Sequence, residues 1–311
     1  MRKIIPIVSV FILVALFLAS CQEATVNTSK NGQTKLKVVA VESFLADITR
    51  NITGDRATVE SLIPLEMDPH AFEPTPKDIS KIAESRVVVA NGAGLESWLD
   101  EAIQNAGGDF ILIEASEGLV SRKTHEEEGE DAHTHEGDPH FWLDPKLAIH
   151  YVENIRDGLI AADPDGKETY TQNAETYISQ LKELDAWIQQ EVSAIPPERR
   201  LIVTNHESFG YFADRYGFRV IGAIIPSVST GSSPSAQELA DLVDLIRQTG
   251  TTAIFLETGA NPKLAEQIAQ ETGVKVVSDL YTHSITGPGG NAPSYLEMMK
   301  YNVNTMVSAL K

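Results

Sequence analysis

The sequence predicts an α/β protein of two lobes, each a parallel four-stranded sheet with flanking helices, joined by one long linking helix. Three observations carry that reading. Short β-rich apolar runs alternate with helical patterns through both halves of the chain, as parallel strands covered by helices on both faces require. The alternation is interrupted once, where apolar residues recur at helical spacing from about 167 to 192. The 311 residues, 42% hydrophobic and 22% charged, also suffice for two lobes of ordinary domain size.

The N-terminus is set apart from the fold. Met1-Arg2-Lys3 is basic and the run from Ile4 to Leu18 is nearly all apolar, too short and wrongly flanked for a membrane span but suited to export. Leu18-Ala19-Ser20-Cys21 resembles the end of a bacterial lipoprotein signal, and Cys21 is the only cysteine. The resemblance implies that residues 1–20 are removed and that Cys21 is lipidated, anchoring the chain to the outer face of the cytoplasmic membrane. Each buried methylene contributes about 0.8 kcal/mol to such an anchor. Residues 21–34 are small, polar and aperiodic, a flexible tether. One cysteine forms no internal disulfide, so the fold rests on its core.

The first lobe, 35–162, reads as a strand over 37–41, a helix to about 51, a strand over 58–63, a helix over 76–85, a strand over 86–90, a helix over 95–105, a strand over 110–114 and a helix over 146–161. Pro76 suits a first helical turn, where no N–H is needed. The linking segment, 163–195, holds the helix over 167–192, in which Tyr177, Leu181, Leu184, Trp187 and Ile188 trace one stripe before Ile195-Pro196-Pro197. About 26 residues at 1.5 Å each extend roughly 39 Å, enough to cross between lobes. The second lobe, 196–311, repeats the rhythm: strands over 201–203, 220–225, 252–256 and 274–277, helices over 209–216, 236–248 and 262–272, and a final helix over 293–310.

Net charge is −19 with a pI near 4.8, which excludes nucleic acid as a partner, since phosphate binding needs a basic surface. An acidic surface instead concentrates cations. Within this background four side chains stand at turns beyond strands or on rigid loops: His70 in Asp68-Pro69-His70, His140 in Asp138-Pro139-His140, His206 in Thr204-Asn205-His206, and Asp279 after the last strand. Ligands of open α/β sheets bind beyond the carboxyl ends of strands. Three imidazoles and a carboxylate suit a four-coordinate borderline ion such as zinc. Ligating imidazoles must be deprotonated, so affinity is expected to fall below about pH 6.5.

With these residues in view, the chain resembles the substrate-binding lipoproteins of zinc and manganese ABC transporters, the cluster with a rigid linking helix. The matching stretches are DPHAFEPTPKD at 68–78, DPHFWLDP at 138–145, VTNHESFGYFADRYG at 203–217 and FLETGANPKLAEQIAQETGVKV at 255–276. The resemblance implies two α/β lobes with one metal between them, and delivery to an ABC permease in the cytoplasmic membrane by a monomeric carrier. It places ligands at His70, His140, His206 and Asp279. A histidine rather than glutamate at the third position tilts the cargo toward Zn2+, with Mn2+ the alternative, and Glu207 is adjacent. After Asp279 the sequence departs from the family's small or proline residue, running Leu280-Tyr281-Thr282-His283; His283 is left open as a cleft neighbour.

Between these motifs lies THEEEGEDAHTHEGD, 124–138, with His125, His133 and His135 among seven acidic residues. Zinc-type relatives carry such loops; the expectation is an accessory, low-affinity metal collector whose removal leaves high-affinity binding nearly intact. His150 is expected on a helix surface. An enzyme is not expected: Glu207 could serve as a base beside a catalytic zinc, but there is no HExxH and no nucleophile elbow. A metal-dependent surface adhesin is the other reading weighed.

Overall fold

The computed structural model describes residues 35–123 and 137–311. Cys21, His125, His133 and His135 lie outside the described residues. Strands β1 (Leu36–Ala40), β2 (Ala57–Ser61), β3 (Val87–Ala90) and β4 (Ile111–Glu114) form a parallel sheet in the order β2-β1-β3-β4. Strands β5 (Leu201–Thr204), β6 (Arg219–Ala223), β7 (Ala253–Glu257) and β8 (Lys275–Leu280) form a second parallel sheet in the order β6-β5-β7-β8. The two halves thus share one topology. In each, the chain reverses its direction of travel beside the first strand, which opens a crevice beyond the carboxyl ends of the first and third strands.

The inner strands β1, β3, β5 and β7 are buried on both faces along most of their length, so their residues alternate between two cores. Val38, Ala40, Val87 and Val89 join the large cluster that also takes in Ile202, Phe255 and the linking helix, while Val39, Val41, Val88 and Ala90 pack on the outer side of the first sheet. Val203, Ile254 and Leu256 do the same on the outer side of the second.

Local chemistry sets the helix ends. α1 (Ser43–Thr53) follows β1; α2 (Pro76–Glu84) opens with Pro76 behind a Thr75/Asp78 capping box. α3 spans Leu99–Ala106 and begins later than the apolar pattern suggests. Gly92, Ala93 and Gly94 all take positive φ (77°, 53° and 81°), and the Glu96 carboxylate accepts the N–H groups of Asn91 and Gly92, so this stretch is a turn. α4 (Pro145–Ala162) is capped by Asp144, whose side chain accepts from the Lys146 N–H.

α5 (Lys167–Val192) has the 26 residues expected of the linking helix. Its buried Tyr170, Ala174, Tyr177, Leu181, Leu184, Ile188 and Val192 follow the three- and four-residue spacing of one helical face. In the second half α6 (Gly210–Tyr216), α7 (Ala236–Thr249) and α8 (Lys263–Thr272) each end on a glycine in the left-handed region. α9 (Tyr295–Leu310) packs on α5 and α1 as well as on β8, so the last helix of the chain returns to the first half. There the Tyr295 N–H donates to Asp47 at 2.9 Å. Among the described residues no helix is long and apolar enough to cross a membrane.

One strand boundary changes the site. β8 runs to Leu280, three residues beyond the expected end, and pairs Leu280 with Glu257. Asp279 therefore belongs to the strand, and its side chain is exposed.

Candidate metal centre

Four imidazoles converge between the two sheets. His70 lies beyond β2 in the Pro69–Ala71 turn, His140 beyond β4, His206 beyond β5 and His283 beyond β8. One ligand atom from each can be chosen so that all four lie within 4.8 Å of one another. Asp279 is not in this group; its nearest described polar partner is the Ser278 hydroxyl at 3.4 Å. The structure brings together three of the four residues expected from sequence and supplies His283 in place of the carboxylate. The missed signal was Thr282-His283-Ser284, which occupies the turn beyond the strand once β8 is given its full length.

Each ring is held from behind. The Asp138 carboxylate accepts both the backbone N–H of His140 (3.0 Å) and the ring Nδ1 (2.9 Å), which puts the hydrogen on Nδ1 and the free lone pair on Nε2. Pro139 between them restricts the backbone of this short arm. Asp68 uses the same Asp-Pro-His geometry to accept the backbone N–H of His70 at 2.9 Å, and its other oxygen accepts from Thr230 of the second half. The turn is pinned further by the Trp98 indole, which donates to the Pro69 carbonyl at 3.1 Å.

His206 and His283 share one buried carboxylate. Glu257 Oε1 lies 2.7 Å from His206 Nδ1, close enough for an ion pair though not aligned as a hydrogen bond. Its Oε2 lies 3.3 Å from His283 Nδ1 and accepts the Thr282 hydroxyl at 2.6 Å. Having donated its own hydrogen, that hydroxyl is an acceptor for His283 Nδ1 at 3.0 Å.

Three of the rings, those of His140, His206 and His283, meet through their Nε2 nitrogens. Those of His206 and His283 stand 3.2 and 3.3 Å from that of His140, and His70 Nε2 is buried with no hydrogen-bond partner. Two nitrogens bonded to one zinc at about 2.0–2.1 Å in a tetrahedron would lie about 3.3–3.4 Å apart. The ring centroids agree: the six pairwise distances fall between 5.1 and 5.5 Å, against about 5.2 Å for four rings on such a tetrahedron. Lone pairs turned toward one another at this distance repel unless a proton or a metal cation stands between them.

Electrostatics favours neutral rings at two positions. Burial, then the neighbouring His283 and His206, pushes His70 down to about 3, and burial with the same crowding by imidazoles holds His140 well below its ordinary value. For His283 burial acts downward, but the hydrogen bond to Glu257 and the charges of Glu257 and Asp68 prevail and raise it. Glu257 is held well below the usual carboxylate range, because His206 and His283 outweigh its burial. Burial lifts Asp138 to about 7, against the opposing hydrogen bond from His140 and the charge of Arg122.

A cavity of about 570 Å³ opens onto this centre, lined by Leu65, Met67, Asp68, Ile225, Glu257 and His283. Glu207 lines a different cavity with Arg122 and Asp214, while its backbone N–H donates to Ser227. His150 sits on α4, with its Nε2 2.7 Å from the Glu117 carbonyl oxygen.

Comparison with known proteins bears on this arrangement. Residues 38–309 match the family described as zinc-uptake complex component A, periplasmic. The chain is 35% identical to the manganese-binding lipoprotein MntA of Halalkalibacterium halodurans, over 97% of each chain. It is 32% identical to the manganese ABC transporter substrate-binding lipoprotein PsaA of Streptococcus pneumoniae, over 100% of this chain and 99% of that one. The periplasmic zinc-binding protein TroA of Treponema pallidum superposes with a TM-score of 0.80 at 28% identity, covering 89% of this chain and 99% of that chain. A manganese-bound periplasmic metal-binding protein of Candidatus Liberibacter asiaticus gives 0.79 at 27% identity, covering 89% and 100%.

Proposed function

Because the chain belongs to the family of the periplasmic component A of the zinc-uptake complex, we propose that it captures a zinc ion as cargo outside the cytoplasmic membrane, anchored through Cys21, and hands it to an ABC permease without chemistry. His70, His140, His206 and His283 hold the ion.

The observation that carries this reading is the near-regular tetrahedron of four imidazole ring centroids, a group that includes no carboxylate from the described residues. Borderline ions such as zinc accept four nitrogen donors, whereas manganese and magnesium favour oxygen and higher coordination. The relatives named for manganese support a manganese reading, but His206 and His283 offer nitrogen where a hard ion would favour oxygen. Charge is supplied from one bond further out, by Glu257 and Asp138, which leaves the imidazoles free to act as neutral donors.

Carriage rather than catalysis follows from coordination number. A catalytic zinc site keeps a position open for water; four protein nitrogens fill a tetrahedron. The ion would enter from the cavity lined by Glu257 and His283.

Equilibrium dialysis of metal-free protein against zinc and manganese tests the proposal. One zinc per chain, bound at least 100-fold more tightly than manganese, is the expected result. Tighter manganese binding, or hydrolysis of an ester or peptide by the zinc-loaded protein, would overturn it.

A further inference from the structure

Beneath the four imidazoles the carboxylates are unequally distributed. His140 has its own, Asp138, two residues earlier in the chain. His206 and His283, 77 residues apart in sequence, share a carboxylate, Glu257, within ion-pair distance of both rings. We propose that Glu257 is the positioning residue of the centre, a single carboxylate that fixes the ring tautomers of both His206 and His283 and so turns two of the four donors toward the ion. The inference rests on the zinc-carrier reading for its importance, though not for its geometry.

The topology explains how one side chain reaches two ligands. In the sheet order β6-β5-β7-β8, strand β7 lies between β5 and β8. His206 follows β5, His283 follows β8, and Glu257 is the last residue of β7, between them. Every residue of β7 is buried, so the carboxylate stands on a rigid element rather than on a loop.

Its orientation is fixed from both sides. Each oxygen faces one imidazole Nδ1 and takes one hydroxyl: Oε1 faces His206 and accepts from Ser208 at 3.3 Å, and Oε2 faces His283 and accepts from Thr282 at 2.6 Å. An ionised carboxylate offers only acceptors. With a carboxylate oxygen 2.7 Å from His206 Nδ1 and 3.3 Å from His283 Nδ1, N–H at Nδ1 is the favoured tautomer of both rings, which leaves the lone pair to Nε2, the atom each turns toward His140.

The chemistry distinguishes Glu from Gln sharply. A glutamine amide has one acceptor oxygen and one donor nitrogen. It can satisfy Nδ1–H of one ring, but its NH2 requires the other ring to accept at Nδ1, which moves that ring's hydrogen to Nε2 and into the centre. In Glu257→Gln one donor of four is blocked although no ligand has been mutated.

The test is nitrogen NMR of the imidazoles in metal-free wild type and Glu257→Gln at alkaline pH, where the rings are neutral, together with zinc affinity by chelator competition and the thermal midpoint of the metal-free protein. The expected result is two Nδ1–H rings at His206 and His283 in the wild type, one of them converted to Nε2–H in the variant, zinc binding weakened by about 100-fold, and a metal-free midpoint that does not fall. Unchanged tautomers would overturn the proposal, as would affinity within about threefold of wild type. Should Glu257→Gln fail to fold, Glu257→Asp provides the second arm: it keeps the charge, but the shorter arm holds only one ring, and retention of both tautomers would be equally fatal. The tautomers are read without metal. A wild type with the expected tautomers that bound no zinc would sink the carrier reading while leaving this one standing.

Discussion

Replacing His283 by alanine should weaken zinc binding by about 100- to 1,000-fold, whereas Asp279→Asn should leave it within about threefold. The first figure follows from the geometry. His283 Nε2 lies 3.3 Å from His140 Nε2, within the range expected of two ligands on one ion, and the residue is 8% exposed. Four-ligand zinc sites carry about 10–16 kcal/mol of apparent binding free energy, so an equal quarter is about 2.5–4 kcal/mol. At about 1.4 kcal/mol per decade that is two to three orders of magnitude. The control must respect the backbone: Asp279 has φ 73°, where alanine would be strained, and asparagine tolerates that region while removing the charge. Competition against a chromophoric chelator reads both variants in one buffer. If Asp279→Asn loses more than about tenfold while His283→Ala binds like wild type, the assignment of the fourth ligand is wrong.

Three further outcomes follow. Because Glu257 and Asp68 outweigh burial and raise the pKa of His283, metal must displace a proton from it only below that raised value; affinity should begin to fall as pH drops through a value above the ordinary 6.5 of histidine, by about tenfold per pH unit. His70 and His140, held low, should not add to that slope near neutrality, and titration calorimetry in buffers of different ionisation enthalpy should show proton release that grows as pH falls through the raised His283 value. Excision of 124–136 should leave high-affinity binding intact, but extending the cut to 138 also removes Asp138 from behind His140 and should cost about 10- to 100-fold in the same competition assay. Phe44, fully buried and stacked on Trp142 at 4.6 Å, should lose about 3–5 kcal/mol of folding stability on replacement by alanine, measured by denaturant titration of metal-free protein.

The fold was legible in the chain because its strands are short apolar runs set between helices, and because α5 announces itself as one uninterrupted stripe. Eight strands and the long helix fall where the alternation puts them. What escaped was the stretch in which local pattern and tertiary pairing disagree. Ser278 and Asp279 are polar and exposed, so the apolar pattern stops at Val277, yet pairing of Leu280 with Glu257 carries the strand on. That displacement of three residues exchanges a carboxylate for an imidazole at the centre. Glu257 was equally hidden: at the end of Ala253-Ile254-Phe255-Leu256 it reads as the polar close of a buried strand, and only the neighbours on β5 and β8 give it a role. By contrast His70, His140 and His206 were visible because Asp-Pro-His and strand-end positions mark them locally.

X-ray absorption at the zinc edge of the one-to-one complex puts the account to its most direct trial. Four nitrogen scatterers at about 2.0 Å, with the outer-shell pattern of four imidazoles, are the predicted result. A shell of five or six oxygen-rich ligands, or an outer pattern requiring two imidazoles or fewer, would contradict it.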